Sequence, residues 1–132
     1  MQTFLPYKSF IDSAKVLDTK RLGKQRTEAR TLWRGHWTNH PASKMWRGYD
    51  NALALYTNVI IQEWISRGFN NNMELLPING EVVYPPWLGG DIHATHRSNL
   101  LRKLPKHYRR YNWQESNDMA YVWPTNNTLT GV

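Results

Sequence analysis

Arg21, Gln25 and Glu28 put a guanidinium, a carboxamide and a carboxylate at helical spacing on one side of the chain. Counting about 100° per residue from Lys20, they fall near 100°, 140° and 80°. Leu17, Ala14 and Leu32 share that sector, and Leu22, Ala29 and Trp33 extend it. An ionised group turned inward costs several kcal/mol unless it is paired. One reason for it to be there is a structural Arg21–Glu28 pair bridged by Gln25, holding helices together. The other is a cleft with a catalytic carboxylate, since shifted ionisable groups gather in such places.

A second inward polar group follows. With Ile92 as origin, His93 and Arg97 fall near about 100° and 140°, beside Leu100 and Leu104, while His96 lies at the edge near 40°. An inward histidine is more often a satisfied core residue than a catalyst. A His93–Arg97 pair facing Arg21, Gln25 and Glu28 would build one polar centre. The spacing of His93 and His96 is poor support for a metal site, so neither metal nor cofactor is expected.

On the outer side of the first helix, Lys20, Lys24, Thr27, Arg30, Thr31 and Arg34 form a solvated face or one that touches phosphates. Toward the C-terminus, Lys106, His107, Tyr108, Arg109, Arg110, Tyr111, Asn112 and Trp113 interleave rings with cations. Either the rings pack down while the cations stay wet, or the run clamps a DNA backbone with Tyr or Trp stacked on exposed bases. The basic character shared with residues 20–34 favours the clamp.

The elements that must hold these groups read as helical. A helix is expected over 12–34, with Asp12 or Ser13 as N-cap and Gly35 as its stop. A second over 42–67 carries Met45, Trp46, Tyr49, Leu53, Tyr56, Ile60 and Trp64 as a core stripe, ended by Gly68. Residues 69–90, rich in Asn, Pro and Gly, read as loop with at most a Glu81–Tyr84 strand. Asp91 caps a third helix that stops before Pro105. The expected fold is all-α, a bundle of three main helices with a long irregular loop and an aromatic, basic C-terminal segment.

With 132 residues, the chain is expected to form one domain, 1–132, large enough to need no staples. Without cysteine, disulfides, thiolate catalysis and cysteine-based zinc sites are excluded. No apolar run approaches the roughly 20 residues of a membrane span, and the opening decapeptide lacks the pattern of a secretory signal. A cytoplasmic protein is therefore expected. Its net charge of +7, with seven Trp and seven Tyr, suits a polyanion. The charge is segregated: ten basic and three acidic residues lie in 1–48, one and five in 49–91, six and two in 92–132. One face of the fold would be positive if the two ends lie together.

The run from Ser13 to Glu28, Ser-Ala-Lys-Val-Leu-Asp-Thr-Lys-Arg-Leu-Gly-Lys-Gln-Arg-Thr-Glu, resembles the first helix of the phage-type pyrimidine-dimer DNA glycosylases, the endonuclease V of ultraviolet repair. Asn39-His40-Pro41 with Met45-Trp46, and His96-Arg97-Ser98 with Leu100 to Lys103 and His107-Tyr108, are similar to the same family. The likeness runs from residue 3 to about 124 and is weakest over 69–86. It implies a small helical bundle that flips a nucleotide, cuts the glycosidic bond at a cyclobutane pyrimidine dimer, and breaks the strand by β-elimination. It implies Glu28 as the essential carboxylate, and Arg21 at a cationic or imidazole position. The partner would be double-stranded DNA with damaged pyrimidines, bound by a monomer with no membrane, obligate protein partner or cofactor. If the protein is viral, the compartment would be the host cytoplasm.

In the family's best-known members the nucleophile is the α-amine of a threonine exposed by removal of the initiator Met. Here Gln2, a bulky residue that normally blocks that removal, follows Met1. Either the amine of Met1 serves, or processing is unusual, or water replaces the amine and no lyase step occurs. On the combined reading Glu28 and Met1 are catalytic. Arg21, Gln25 and Arg97 position phosphate or the flipped nucleotide, and His93 supports the site. Lys20, Lys24, Arg30, Arg109 and Arg110 contact phosphates, and Tyr108 belongs to the DNA-binding tail. A module that only binds distorted DNA, and a glycosylase for a modified base, are the alternatives.

Overall fold

A computed structural model describes residues 2–124. Among them are six α-helices and no strand: α1 Phe10–Val16, α2 Thr19–Trp33, α3 Pro41–Trp46, α4 Asp50–Ser66, α5 Ile92–Lys103 and α6 Pro105–Tyr108, followed by a 3₁₀ turn, Arg109–Tyr111. The fold is all-α as expected, and its three long helices are α2, α4 and α5. No helix among the described residues is long and apolar enough to cross a membrane.

The helix expected over 12–34 is broken at Leu17–Asp18, both in extended conformation. Neither Asp12 nor Ser13 is its N-cap. Ser9 caps α1 by accepting from the Asp12 amide, and Asp18 caps α2 by accepting from the Arg21 amide. Asp competes with a helix for its own backbone groups and so favours such starts. Ser13 is instead buried, exchanging two 3.0 Å hydrogen bonds with the Tyr7 backbone.

The helix expected over 42–67 is also two. His40 caps α3 through Nδ1, which accepts from the Ala42 amide, and Pro41 begins it where no N–H is needed. Gly48, at φ +88°, turns the chain into α4. The core stripe survives the break: Met45, Trp46, Leu53, Tyr56 and Ile60 are buried, with Tyr49 and Trp64 packed against them.

Helices α2 and α4 form the most extensive helix pair. Gly23 lets them approach, since a Cβ there would lie 2.8 Å from the Trp64 ring. Loop 69–90 is laced to α4 by side chains in place of a strand. Asn58 accepts from the Leu76 amide at 2.7 Å and donates to its carbonyl at 3.0 Å, and Asn51 donates to the carbonyls of Asn79 and Glu81. No strand forms over Glu81–Tyr84.

The feature without an antecedent in the sequence reading is the segment Gln2–Leu5, which is buried between the helices. Side chains from four helices hold it. Phe4 N–H donates to Gln25 Oε1 (3.0 Å) and Leu5 N–H to His96 Nδ1 (2.9 Å). Tyr56 donates to the Phe4 carbonyl (2.8 Å), Gln25 Nε2 to the Gln2 carbonyl (2.6 Å), and Trp46 Nε1 to the Thr3 hydroxyl (2.9 Å). Buried backbone must have its polar groups met, and here α2, α3, α4 and α5 meet them.

Candidate active site

Beside that segment, α2 presents Lys20, Arg21, Lys24, Gln25 and Glu28 to a cleft of about 290 Å³. Gln2, Phe4, Lys103 and Tyr121 complete its lining. Four cationic side chains thus surround one carboxylate. The Glu28 side chain is 17% exposed and lies 3.8 Å from the Nζ of Lys24, itself 68% exposed. A larger hollow of about 720 Å³ lies between α1, α4 and residues 84–88, but Lys8 is its one charged group. That surface can bury apolar matter and has no carboxylate in its lining, so the smaller cleft is the candidate.

The Arg21–Glu28 pair does not form. Arg21 turns back to Asp18, with Nη1 3.2 Å from Oδ1. The reason is the helix break: as N-cap, Asp18 stands three residues from Arg21, whereas Glu28 is seven residues away, about two turns along the helix. Burial pushes the Asp18 carboxyl up, but hydrogen bonds from Tyr108 and Arg21 and the guanidinium charge outweigh it and hold the group below its usual range. Nor does Gln25 bridge the two charges. It is 2% exposed, and its carboxamide is consumed by Phe4, Gln2 and the Tyr56 hydroxyl (2.8 Å). Burial, with the charge of Glu28 added, raises the Tyr56 phenol well above its ordinary pKa, so it stays a donor.

Gln2 lines the cleft with its carboxamide fixed, since Oε1 accepts from the Thr3 amide at 2.9 Å. Its Nε2, like Arg26 Nε and His96 Nε2, is buried without a hydrogen-bond partner among the described residues.

Several expected site residues lie elsewhere. His93 does not line the cleft: Nε2 accepts from the Gly89 amide (2.8 Å) and Nδ1 donates to the Leu5 carbonyl (2.7 Å). Burial, reinforced by the charges of Arg97 and Lys8, lowers its pKa below the ordinary imidazole value. His96 is pushed further, to about 3, by burial and the neighbouring His93. Both rings are neutral at pH 7, and they hold the N-terminal segment in place. Arg97 makes a bidentate pair with Glu115, both contacts 2.9 Å, and donates to the Pro6 carbonyl at 2.8 Å. Its fork is filled by protein oxygens, leaving little for a phosphate.

Tyr108 is fully buried, and its hydroxyl donates to the Asp18 carboxylate and accepts from the Asp18 amide (3.0 Å). It cannot stack on a base. The other rings of the tail also pack inward, Trp113 stacking on Tyr108 and Tyr111 and donating to the Tyr7 hydroxyl at 2.8 Å. Arg109 and Arg110 remain exposed, Arg30 is half-buried on α2, and none of the three lines the cleft. Met1 lies outside the described residues.

Lys103, Gln2, Phe4 and Tyr121 also line the cleft, and the sequence gives none of them a site role. For Lys103 a signal existed: on α5 it falls at about 20°, next to His96 near 40°.

A family model described as pyrimidine dimer DNA glycosylase matches residues 1–77, which contain α1 to α4 and every cleft residue except Lys103 and Tyr121. No curated protein and no solved structure matches the chain. More than half of the sequence, including Glu28 and the basic side of α2, falls inside the matched span, and the chain belongs to the pyrimidine dimer DNA glycosylase family.

Proposed function

We propose that the chain excises cyclobutane pyrimidine dimers from ultraviolet-damaged duplex DNA and then cleaves the strand by β-elimination. The observation that carries this reading is Glu28 in a cleft ringed by Lys20, Arg21, Lys24 and Lys103. Loss of a base develops oxocarbenium character at the sugar. One carboxylate in a cationic cleft can stabilise that charge while the cations hold the flanking phosphates.

Glu28 is the catalytic carboxylate and later accepts the sugar's C2′ proton. The α-amine of Met1 is the nucleophile: an α-amine, with a pKa near about 7.7–8.0, keeps a useful neutral fraction at pH 7. Gln2, its neighbour in sequence, lines the same cleft as Glu28. Lys20, Arg21 and Lys24 bind phosphates at the cleft, and Arg30, Arg109 and Arg110 extend the basic surface along the duplex. Gln25 and His93 act through the segment they hold and are positioning residues.

The test is to incubate the protein with irradiated and untreated duplex oligonucleotide, with borohydride to trap any imine. Nicking of irradiated DNA with a trapped adduct supports the reading. Binding without cutting overturns the enzymatic claim, and cutting confined to DNA with a modified base overturns the substrate.

A further inference from the structure

We infer that Lys103 is a second nucleophilic amine of the cleft, forming an imine with the deoxyribose left when a base has been removed. The inference rests on the glycosylase reading above. Lys103 ends α5 and lines the same cleft as Glu28, Gln2 and Phe4. Among the described residues no carboxylate pairs with it, whereas Lys24 lies against Glu28 and Arg21 against Asp18.

The surroundings of Lys103 divide labour between cations. Partial burial, then the charges of Arg21, Arg102 and Lys24, lower its pKa from the ordinary lysine value. A phosphate anchor has to stay charged, and a guanidinium does so in any protein setting. A lysine crowded by other cations and partly desolvated instead gains neutral amine, which is the form that attacks a carbonyl carbon. Arg21 suits the backbone, and Lys103 suits the sugar.

The chemistry balances within the cleft. Hydrolysis of the glycosidic bond leaves a sugar whose ring-opened form carries an aldehyde at C1′. The Nζ lone pair adds to C1′, and the carbinolamine loses water to give an imine. The protonated imine draws electrons from C2′, and Glu28 takes the C2′ proton. The C3′–O bond breaks, and the downstream strand departs with a 5′-phosphate. Water then hydrolyses the imine, releasing the unsaturated aldehyde and the free amine.

The experiment uses the whole protein and a duplex bearing one abasic site, which removes dimer recognition from the question. Borohydride is added, the protein is digested, and the sugar-bearing peptide is identified by mass. The adduct is expected on the peptide containing Lys103. Lys103→Arg keeps the charge but cannot form the imine, so incision of the abasic duplex should fall by about tenfold or more. Its affinity for a duplex with a reduced, uncleavable abasic analogue should stay within about twofold, because the cation is retained. Lys103 is exposed, so the variant is expected to fold. An adduct confined to the chain's α-amine, with Lys103→Arg cutting at the full rate, overturns the inference. So does an unchanged incision rate with weakened binding in Lys103→Gln, which would make Lys103 a phosphate anchor. If irradiated DNA loses its dimer base but neither amine is trapped, the glycosylase reading stands and this inference falls. If irradiated DNA is left intact as well, both fall.

Discussion

Tyr56 and Gln25 meet at 2.8 Å in the core, and both hold Phe4, the one through its carbonyl and the other through its amide. The next turn of α2 beyond Gln25 carries Glu28 into the cleft. A buried amide thus fixes the wall of the cleft at the place where the carboxylate enters.

Gln25→Ala strands the Phe4 amide, the Gln2 carbonyl and part of the Tyr56 hydroxyl's bonding. Each unmet buried group costs about 1–3 kcal/mol, so a loss of about 3 kcal/mol or more is expected in urea unfolding. Tyr56→Phe removes one donor and should cost about 1–2 kcal/mol. Equal stabilities for Gln25→Ala and wild type would mean that the N-terminal segment is not held as described.

Glu28→Gln keeps the shape of the side chain and removes its charge. Cleavage of irradiated duplex should drop by about 10²–10⁴, the usual worth of a positioned acid or base. Binding of that duplex should persist, and the unfolding midpoint should move little, since the Lys24 contact at 3.8 Å is a surface pair. Full activity in this variant removes Glu28 from the mechanism.

Salt titrations separate the cations by role. Replacing Lys20, Arg109 or Arg110 with Gln should each reduce the slope of log K against log salt by about 0.9 if that residue neutralises one phosphate. Tyr108→Phe, which empties the hydrogen bonds to Asp18, should cost about 1–3 kcal/mol of stability and leave the salt slope alone. A changed slope in Tyr108→Phe would argue that the ring reaches DNA after all.

Gly23→Ala reverses the ordinary sign of that substitution. In an open helix it gains about 1 kcal/mol. Here the new methyl meets the Trp64 ring at 2.8 Å, and that ring is fixed by stacking on Phe69, by a 2.8 Å bond to the Asn70 carbonyl and by Arg26 above it. Overpacking of about 1–3 kcal/mol should prevail, giving a lower melting temperature.

Acid should weaken the fold through its buried histidines. His96 titrates at about 3 when folded and near 6.5 when unfolded, so between those values the unfolded chain binds the extra proton. Stability is therefore complete above about pH 6.5 and declines as pH falls toward about 3, by up to about 1.4 kcal/mol per pH unit. His93, also lowered, adds to the same slope. His96→Gln should flatten the dependence between pH 6.5 and 4 in urea unfolding; an unaltered slope would place the titration elsewhere.

The cationic side of α2 and Glu28 were legible because they depend only on the phase of one helix. The break at Asp18 was not, because its partner Tyr108 lies 90 positions away and the apolar periodicity runs on through both halves. Gln25, Tyr56, His93 and His96 look in sequence like separate anomalies on apolar faces. They share one cause, the buried backbone of residues 2–5, which has no periodic pattern to announce it. Inward polar groups need partners, and for His93 and Arg97 those partners are Leu5, Gly89, Pro6 and Glu115, none of which lines the cleft.

The threading of residues 2–5 also dictates when the enzyme can exist. During synthesis these residues leave the ribosome first, yet the Leu5 amide must wait for His96, 91 positions later, to find its acceptor. Contacts of such sequence separation form late and slow the folding of a domain. The nascent chain thus carries Glu28 for most of its translation without the wall that faces it. The cleft itself is complete only once Lys103 and Tyr121, which line it, have been made.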